Sequence, residues 1–370
     1  MNVVKPIVAI CLTCKNASLT IGHALRSIAL LKYPKDRLYV IIVDGGSTDN
    51  TLNIARKVLD NYGLKYEIII KNCNIPEGRN ECLKIAVKKG FPYILLLDAD
   101  VIIAEKEILT KLVELAKKYA PCIVSVNVSF KNFRSEEELK RFSNRILSIT
   151  AGDMLLNIKA VPWCGMSLTL MSSIVAKQIQ FEEDLTFAED CFFSFNAWRN
   201  SFPVFSIISN KPLAYDLNLT KVSNIYIKMG IDDYFKGFTK KILAQTYANY
   251  GNNILKTMFN FLKSNAGLRV MFHFVNTLIL VISLIMLIMN VKVILGVTFL
   301  LLYILATSAY LIKLRLTRCK NFSSVVMNFL KFRIYSFLTL SLMPFYILKY
   351  NDKFKEIYGE IKRLNQVVFT

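Results

Sequence analysis

The sequence predicts an α/β domain on a mostly parallel sheet, followed by an apolar, helical C-terminal part. Three observations carry this. Apolar runs of strand length alternate with helix-patterned segments through the first 100 residues. Two of those runs end in acidic turns, at Asp44 and at Asp98-Ala99-Asp100. Toward the C-terminus, Val270 to Met289 and Val293 to Ile312 are apolar and long enough to cross a hydrocarbon layer.

Residues 7–12 read as the first strand, and Ser18 to Leu31 as a helix that Tyr33-Pro34-Lys35 breaks. Leu38 to Val43 is the second strand. It ends at Asp44-Gly45-Gly46-Ser47-Thr48-Asp49, where glycines permit a tight turn and Ser47, Thr48 or Asp49 can cap a helix. That helix, Thr51 to Asn61, sets Leu52, Ala55, Val58 and Leu59 on one face. Tyr66 to Ile70 is a strand, Gly78 to Lys89 a helix and Tyr93 to Leu97 a strand. Glu105 to Tyr119 reads as an amphipathic helix, Cys122 to Phe130 as a strand and Glu136 to Leu156 as largely helical. The acidic stretch Glu182 to Asp190 precedes a helix over Cys191 to Asn200 and a last strand over Phe202 to Ile208.

The bulk properties narrow the function classes. The 370 residues carry a net charge of +20 with 54% hydrophobic residues and a mean hydropathy of +0.38. Basic residues gather beside the C-terminal apolar runs rather than in arginine-rich blocks interleaved with aromatics, which favours a membrane surface over nucleic acid. Cys11-Leu12-Thr13-Cys14 has no second pair, so the eight cysteines read as small buried hydrophobes in a reducing compartment. The two histidines, His23 and His273, cannot build a histidine-rich zinc site, and metal chemistry would rest on carboxylates.

Asp98 and Asp100 end a fully apolar run, and two carboxylates there are costly without a cation. Hard oxygen ligands suit Mg²⁺ or Mn²⁺, ions that usually also hold substrate phosphates. In open α/β sheets ligands bind beyond the carboxyl ends of the strands. Asp44 and the Asp98/Asp100 turn are therefore expected to face one crevice.

The residues at these positions resemble a known family. VIIVDGGSTDNT (Val40 to Thr51), Gly78-Arg79-Asn80 followed after a helix by ILLLDADV, and Ala188-Glu189-Asp190 stand in the order and spacing of the family 2 glycosyltransferases with the GT-A fold, a Rossmann-like sheet with helices on both faces. The resemblance covers roughly residues 7–210. It implies that Asp44 binds the base of a nucleotide, with Thr13 and Asn16 in the first nucleoside-contacting loop. It implies that Asp98 contacts ribose or metal, that Asp100 holds the metal on the diphosphate, and that Arg79 contacts the sugar or diphosphate. Asp190 would be the catalytic base, supported by Glu189. Lys240 and Lys241 fall where some membrane-bound relatives place diphosphate-binding basic residues. Two departures matter. Asp44 is followed by Gly45 where many members carry a second aspartate, and the Q-x-x-R-W motif of processive synthases is absent, so transfer of a single sugar is expected.

The expected division is a catalytic domain over 1–215, amphipathic interfacial helices over 216–266 and a membrane domain over 267–370. The last comprises a helical hairpin at about 270–289 and 293–312 and a shorter interfacial or third segment at 334–348, kinked at Pro344. Leu255, Met258, Phe259 and Leu262 form an apolar stripe at helical spacing. Lys256, Lys263 and Arg269 before the hairpin and Lys313, Arg315, Arg318 and Lys320 after it place both outer ends in the cytoplasm. No signal peptide precedes the first strand, in keeping with a multi-pass protein of the cell membrane whose catalytic domain is cytoplasmic. The expected partners are a nucleotide-sugar donor, a lipid-linked acceptor (polyprenyl phosphate or lipid-linked glycan) and the membrane, with no nucleic acid; a homo-oligomer is left open. The resemblance also implies inversion at the anomeric carbon. The alternative is a non-catalytic, membrane-anchored nucleotide-binding scaffold.

Overall fold

A computed structural model of the chain describes residues 4–149, 156–185, 188–219, 237–250, 265–288, 297–304, 306–308 and 322–368. The chain forms two compact units, Met1–Val222 with Glu356–Thr370, and Ser223–Lys355. This differs from the expected division, because the last residues belong with the first domain.

The first unit runs β1 (Val8–Cys14), α1 (Ile21–Ala29), β2 (Leu38–Asp44), α2 (Thr51–Tyr62), β3 (Lys65–Ile70), α3 (Ile75–Lys88), β4 (Tyr93–Asp98), β5 (Val101–Ile103), α4 (Ile108–Tyr119), β6 (Ile123–Val126), β7 (Ser129–Phe133), α5 (Glu136–Ser148), β8 (Leu156–Ala160), β9 (Leu168–Ser172), α6 (Ser173–Gln178), α7 (Glu189–Arg199), β10 (Val204–Ser209) and β11 (Ala214–Leu219). The main sheet has the order β3-β2-β1-β4-β9-β6-β10-β8. Its first four strands are parallel. β9 then runs antiparallel to both β4 and β6, and β8 antiparallel to β10. β1, β2 and β4 are apolar up to their carboxyl ends, as strands buried on both faces are. Ile10, Leu12, Val40 and Ile42 are fully buried.

Strand order reverses at β1, with β2 on one side and β4 on the other. That reversal opens a crevice at the carboxyl ends of the strands. In register, Thr13 stands beside both Val43 and Asp98, and Cys14 beside Asp44. Asp44 and Asp98 are therefore two strand spacings apart, about 10 Å. Gly78 lets α3 close onto this edge: a Cβ there would lie 2.9 Å from the Thr13 Cγ2. The first turn of α3 is fixed by a capping box, with the Glu77 amide donating to the Asn74 side chain at 2.9 Å and the Asn74 amide to Glu77 at 2.8 Å.

A second sheet, β5-β11-β7, packs with α5 around Ile102, Phe133, Leu139, Ile146 and Leu217. It differs from the expectation at two points. Cys122 to Phe130 is two strands in different sheets, and the helix begun at Glu136 ends at Ser148, with Leu156 opening edge strand β8. β8, β9 and β11 were not expected. Each is five or six residues long, and β8 and β11 alternate polar and apolar residues as half-covered strands do. The edge of β8 is closed by the C-terminal residues: the Ala160 amide donates to Asn365 Oδ1 at 2.7 Å, and Asn365 Nδ2 donates to the Ala160 carbonyl at 3.0 Å.

The second unit contains α8 (Phe238–Asn249), α9 (Asn265–Ile288) and most of α10 (Phe322–Val368), with residues 297–304 and 306–308 also helical. Its interior holds Ile242, Tyr247, Met343 and Phe354 but also several polar groups, and many apolar side chains lie outside. His273, Asn276, Ser283, Arg333, Ser336 and Thr339 are buried, while Leu278, Ile282, Ile285, Leu301, Leu302, Ile334 and Phe345 are exposed. Asn276 donates to the Thr307 hydroxyl at 3.2 Å, and Arg333 reaches the Tyr303 hydroxyl with its guanidinium over that ring.

Among the described residues no helix is long and apolar enough to cross a membrane, so the expected pair of crossing helices is not found there. Much of the second run lies outside the described residues, as does the 255–262 stripe. Residues 334–348 are not a separate short segment: α10 continues through Pro344.

Candidate functional site

The crevice at the β1 reversal collects the predicted acids from three places in the chain. Asp98 ends β4, Asp100 sits in the turn to β5, and Glu189 and Asp190 open α7. Arg79 of α3 joins them, its Nη2 donating to Asp98 at 3.0 Å and its Nη1 to Glu189 at 3.1 Å. Its side chain is only 8% exposed. Ala188 takes a left-handed backbone, φ 62°, and turns the chain into α7 immediately ahead of the two acids. A non-glycine residue in that conformation costs roughly 1–2 kcal/mol, and sites that must aim side chains are where such strain is found.

The electrostatics reflect crowding. Asp100 is open to the crevice by surface area yet ringed by protein, and this desolvation, with the charges of Asp98 and Asp216, pushes its carboxyl up to about 7. Glu189 and Asp190 are also raised, in both cases chiefly by burial, with Arg79 opposing. Asp190 accepts from the Cys191 amide at 2.8 Å, and its carbonyl accepts from the Ser194 hydroxyl at 2.8 Å. Asp216 is raised to about 6 by burial and by Asp98. The sequence reading missed Asp216. Its signal was a lone acid within the strand-patterned Tyr215-Asp216-Leu217. Antiparallel pairing sets Asp216 opposite Val101, and the Leu217 amide donates to the Asp100 carbonyl at 2.8 Å.

The expected nucleotide side of the crevice is built differently from the prediction in one respect. Asp44 is fully buried and its oxygens serve its own turn. Oδ2 accepts from the Gly46 and Ser47 amides at 3.1 and 2.8 Å, and Oδ1 accepts from the Ser47 hydroxyl and, at 3.5 Å, from the Cys14 thiol. Gly46 supplies the positive φ, 83°, that this turn needs. Asn16, itself at φ 53°, ties the loop after β1 to the loop after β2. Its amide donates to Ser47 Oγ at 2.8 Å, and its Oδ1 accepts from the Thr48 amide at 2.8 Å. Thr13 stands near the end of β1 between β2 and β4, half-buried. Lys240 and Lys241 stand on α8 of the second unit, with Lys241 buried.

Residues 9–175 match the family described as Glycosyl transferase family 2. Over that span, a little under half of its length, the chain is similar to the glycosyltransferase family 2 domain. Poly(ribitol-phosphate) beta-N-acetylglucosaminyltransferase TarS of Staphylococcus aureus is 27% identical over 202 residues, 54% of this chain and 34% of that protein. Poly-beta-1,6-N-acetyl-D-glucosamine synthase of Staphylococcus epidermidis is 34% identical over 92 residues, 25% of this chain and 21% of its own length. The matched part thus spans about a third of one relative and about a fifth of the other. Among solved structures, the first 349 residues of S. aureus TarS in complex with UDP-GlcNAc superimpose with a TM-score of 0.52 at 18% identity, over 90% of this chain and 92% of that one. That likeness establishes the GT-A fold.

Among the described residues, no group of three or more His, Cys, Asp and Glu side chains is arranged to hold a metal ion. Asp98 and Asp100 nonetheless offer hard oxygens at the crevice, and Mg²⁺ sites commonly use one or two carboxylates completed by substrate phosphates and water.

Proposed function

We propose that this chain transfers a single sugar from a nucleoside-diphosphate sugar, with UDP as the carrier, to an acceptor held at a lipid surface. The observation that carries the reading is the convergence of Asp98, Asp100, Glu189 and Asp190 around Arg79 within and beside the family-matching segment. The donor's base and ribose would rest on the loops that Asn16, Ser47 and Asp44 lace together, with Thr13 beneath them. Mg²⁺ or Mn²⁺, held by Asp100 and Asp98, would supply charge neutralisation of the diphosphate leaving group. Asp190 is the base that takes the acceptor proton; its raised pKa brings it nearer the working pH, which favours proton transfer. Glu189 sits beside it, ion-paired to Arg79.

The lipid surface is supported by the second unit. Buried polar and exposed apolar side chains are the arrangement of a helical unit that rests against hydrocarbon, where polar groups pair inward and apolar groups face lipid. Lys256, Lys263, Arg269, Lys313, Arg315, Arg318 and Lys320 supply charge for an anionic leaflet, which supports a catalytic unit on the cytoplasmic face. Native membranes incubated with labelled UDP-sugars and Mn²⁺ test this. Label entering the organic-soluble lipid fraction is the expected result, and its release by mild acid assigns a phosphate-linked product. Label that stays wholly in the aqueous phase overturns the lipid acceptor.

A further inference from the structure

Arg79 has a role that a donor contact does not describe. Its guanidinium bridges two acids from different elements, Asp98 at the end of β4 and Glu189 at the start of α7, at 3.0 and 3.1 Å. It is held from behind. The Phe181 ring lies 5.4 Å from the guanidinium carbon, and Phe181 stacks at 4.2 Å on Phe193 of α7. Phe181 is fixed in turn by Asn80, the next residue of α3. The Asn80 side chain accepts from the Phe181 amide at 2.8 Å and donates to its carbonyl at 2.8 Å, and it also reaches Glu183 at 3.0 Å. α3, the 181–183 loop and α7 are therefore pinned to one another around this side chain.

We propose, resting on the transferase reading above, that Arg79 is a positioning residue that sets the separation between the donor-side acid Asp98 and the acceptor-side helix bearing Glu189 and Asp190. Its two bridging N–H groups are directed at protein carboxylates, and little of its surface faces the crevice. Reaching a diphosphate would mean leaving two half-buried carboxylates without their cation. The planar fork matters, because one guanidinium can serve two carboxylates at once, whereas a lysine ammonium is a single point charge. Arg79→Lys therefore keeps the charge and loses the bridge.

The experiment uses the full chain in detergent with UDP, UDP-sugars and Mn²⁺, comparing wild type, Arg79→Lys and Asn80→Ala. Arg79→Lys is expected to lower kcat about 100-fold, the scale of a displacement of about 1 Å, with UDP affinity by calorimetry and donor KM unchanged. Asn80→Ala leaves every charge in place and is expected to lower kcat in the same way by a smaller factor, so it carries the test even if the lysine variant does not fold. A rise of about tenfold or more in donor KM with kcat kept is the mark of lost ground-state binding, and would make Arg79 a diphosphate ligand. Unchanged kinetics in both variants would make the bridge incidental. Failure of the wild type to bind UDP defeats the transferase reading instead, before any variant is compared.

Discussion

In the first unit Ile10, Leu12, Val40 and Phe205 lie inside and acids gather at the ends of the strands. In the second, His273, Asn276, Ser336 and Thr339 lie inside, and Leu278, Ile282, Ile285 and Leu302 face outward. The second unit thus mixes polar groups into an interior that also holds Ile242, Tyr247, Met343 and Phe354, and leaves many apolar groups outside. The difference teaches that burial is set against the surrounding medium. Water drives apolar groups inward in the first unit. On the proposal that lipid surrounds the second unit, that force would vanish there, and inward hydrogen bonds such as Asn276 to Thr307 would give its helices a reason to meet.

The comparison can be broken or sharpened in graded steps. The largest effect is expected at the acids of the first unit. Asp190→Asn is expected to lower transfer to a hydroxyl acceptor by about 10²–10⁴-fold, the usual worth of a general base, with UDP binding intact by calorimetry. If the acceptor is a lipid phosphate, ionised near neutral pH, the loss is expected to be modest. Next is the core: Leu12→Ala, deleting a fully buried side chain, is expected to cost about 2–5 kcal/mol in chemical denaturation.

The paired change in the second unit is Ile282→Gln with Ile285→Gln on the exposed face. If lipid covers that face, co-sedimentation with anionic vesicles falls sharply while the αβ unit stays folded. Unchanged vesicle binding with improved solubility would mean that water covers it, and the contrast between the units would collapse.

A smaller effect is expected at His23. Burial, with Arg26 and then Lys140 nearby, holds its pKa down to about 4 from 6.5. The fold thus favours neutral imidazole. This contribution is complete above pH 6.5 and is lost as the pH falls toward 4, because the unfolded chain takes the proton first. Melting curves across this range are expected to fall more steeply for wild type than for His23→Leu; equal slopes would remove His23 from the acid sensitivity. The smallest effect is at Ala188, whose φ of 62° suits glycine. Ala188→Gly is expected to raise stability by about 1 kcal/mol.

Much of this was legible in the sequence. The alternation of Val8–Cys14, Leu38–Asp44 and Tyr93–Asp98 with helices announced parallel strands, and the acids at their ends announced the crevice. What was not legible depends on long-range pairing. β9 is a short run with no helix leading into it, and only the partners β4 and β6 make it a central strand. Asp216 is unremarkable until β11 pairs with β5 and brings it beside the Asp98/Asp100 turn. Arg79 was legible as a motif residue, but its two carboxylate partners lie 19 and 110 residues away. The local pattern also cannot tell that Asp44 closes its own turn, since that follows from the φ of Gly46 and from the Ser47 amide and hydroxyl both turning back to Asp44.

The amide of Asn365 that imitates a peptide unit against Ala160 has a practical consequence. An uncapped outer strand is a template onto which a foreign strand can zip, the first step of domain swapping or fibril growth. Trimming the chain before residue 365 would bare that template, so material shortened at this end is expected to clump on storage, whereas fusions at the opposite terminus leave the seal in place.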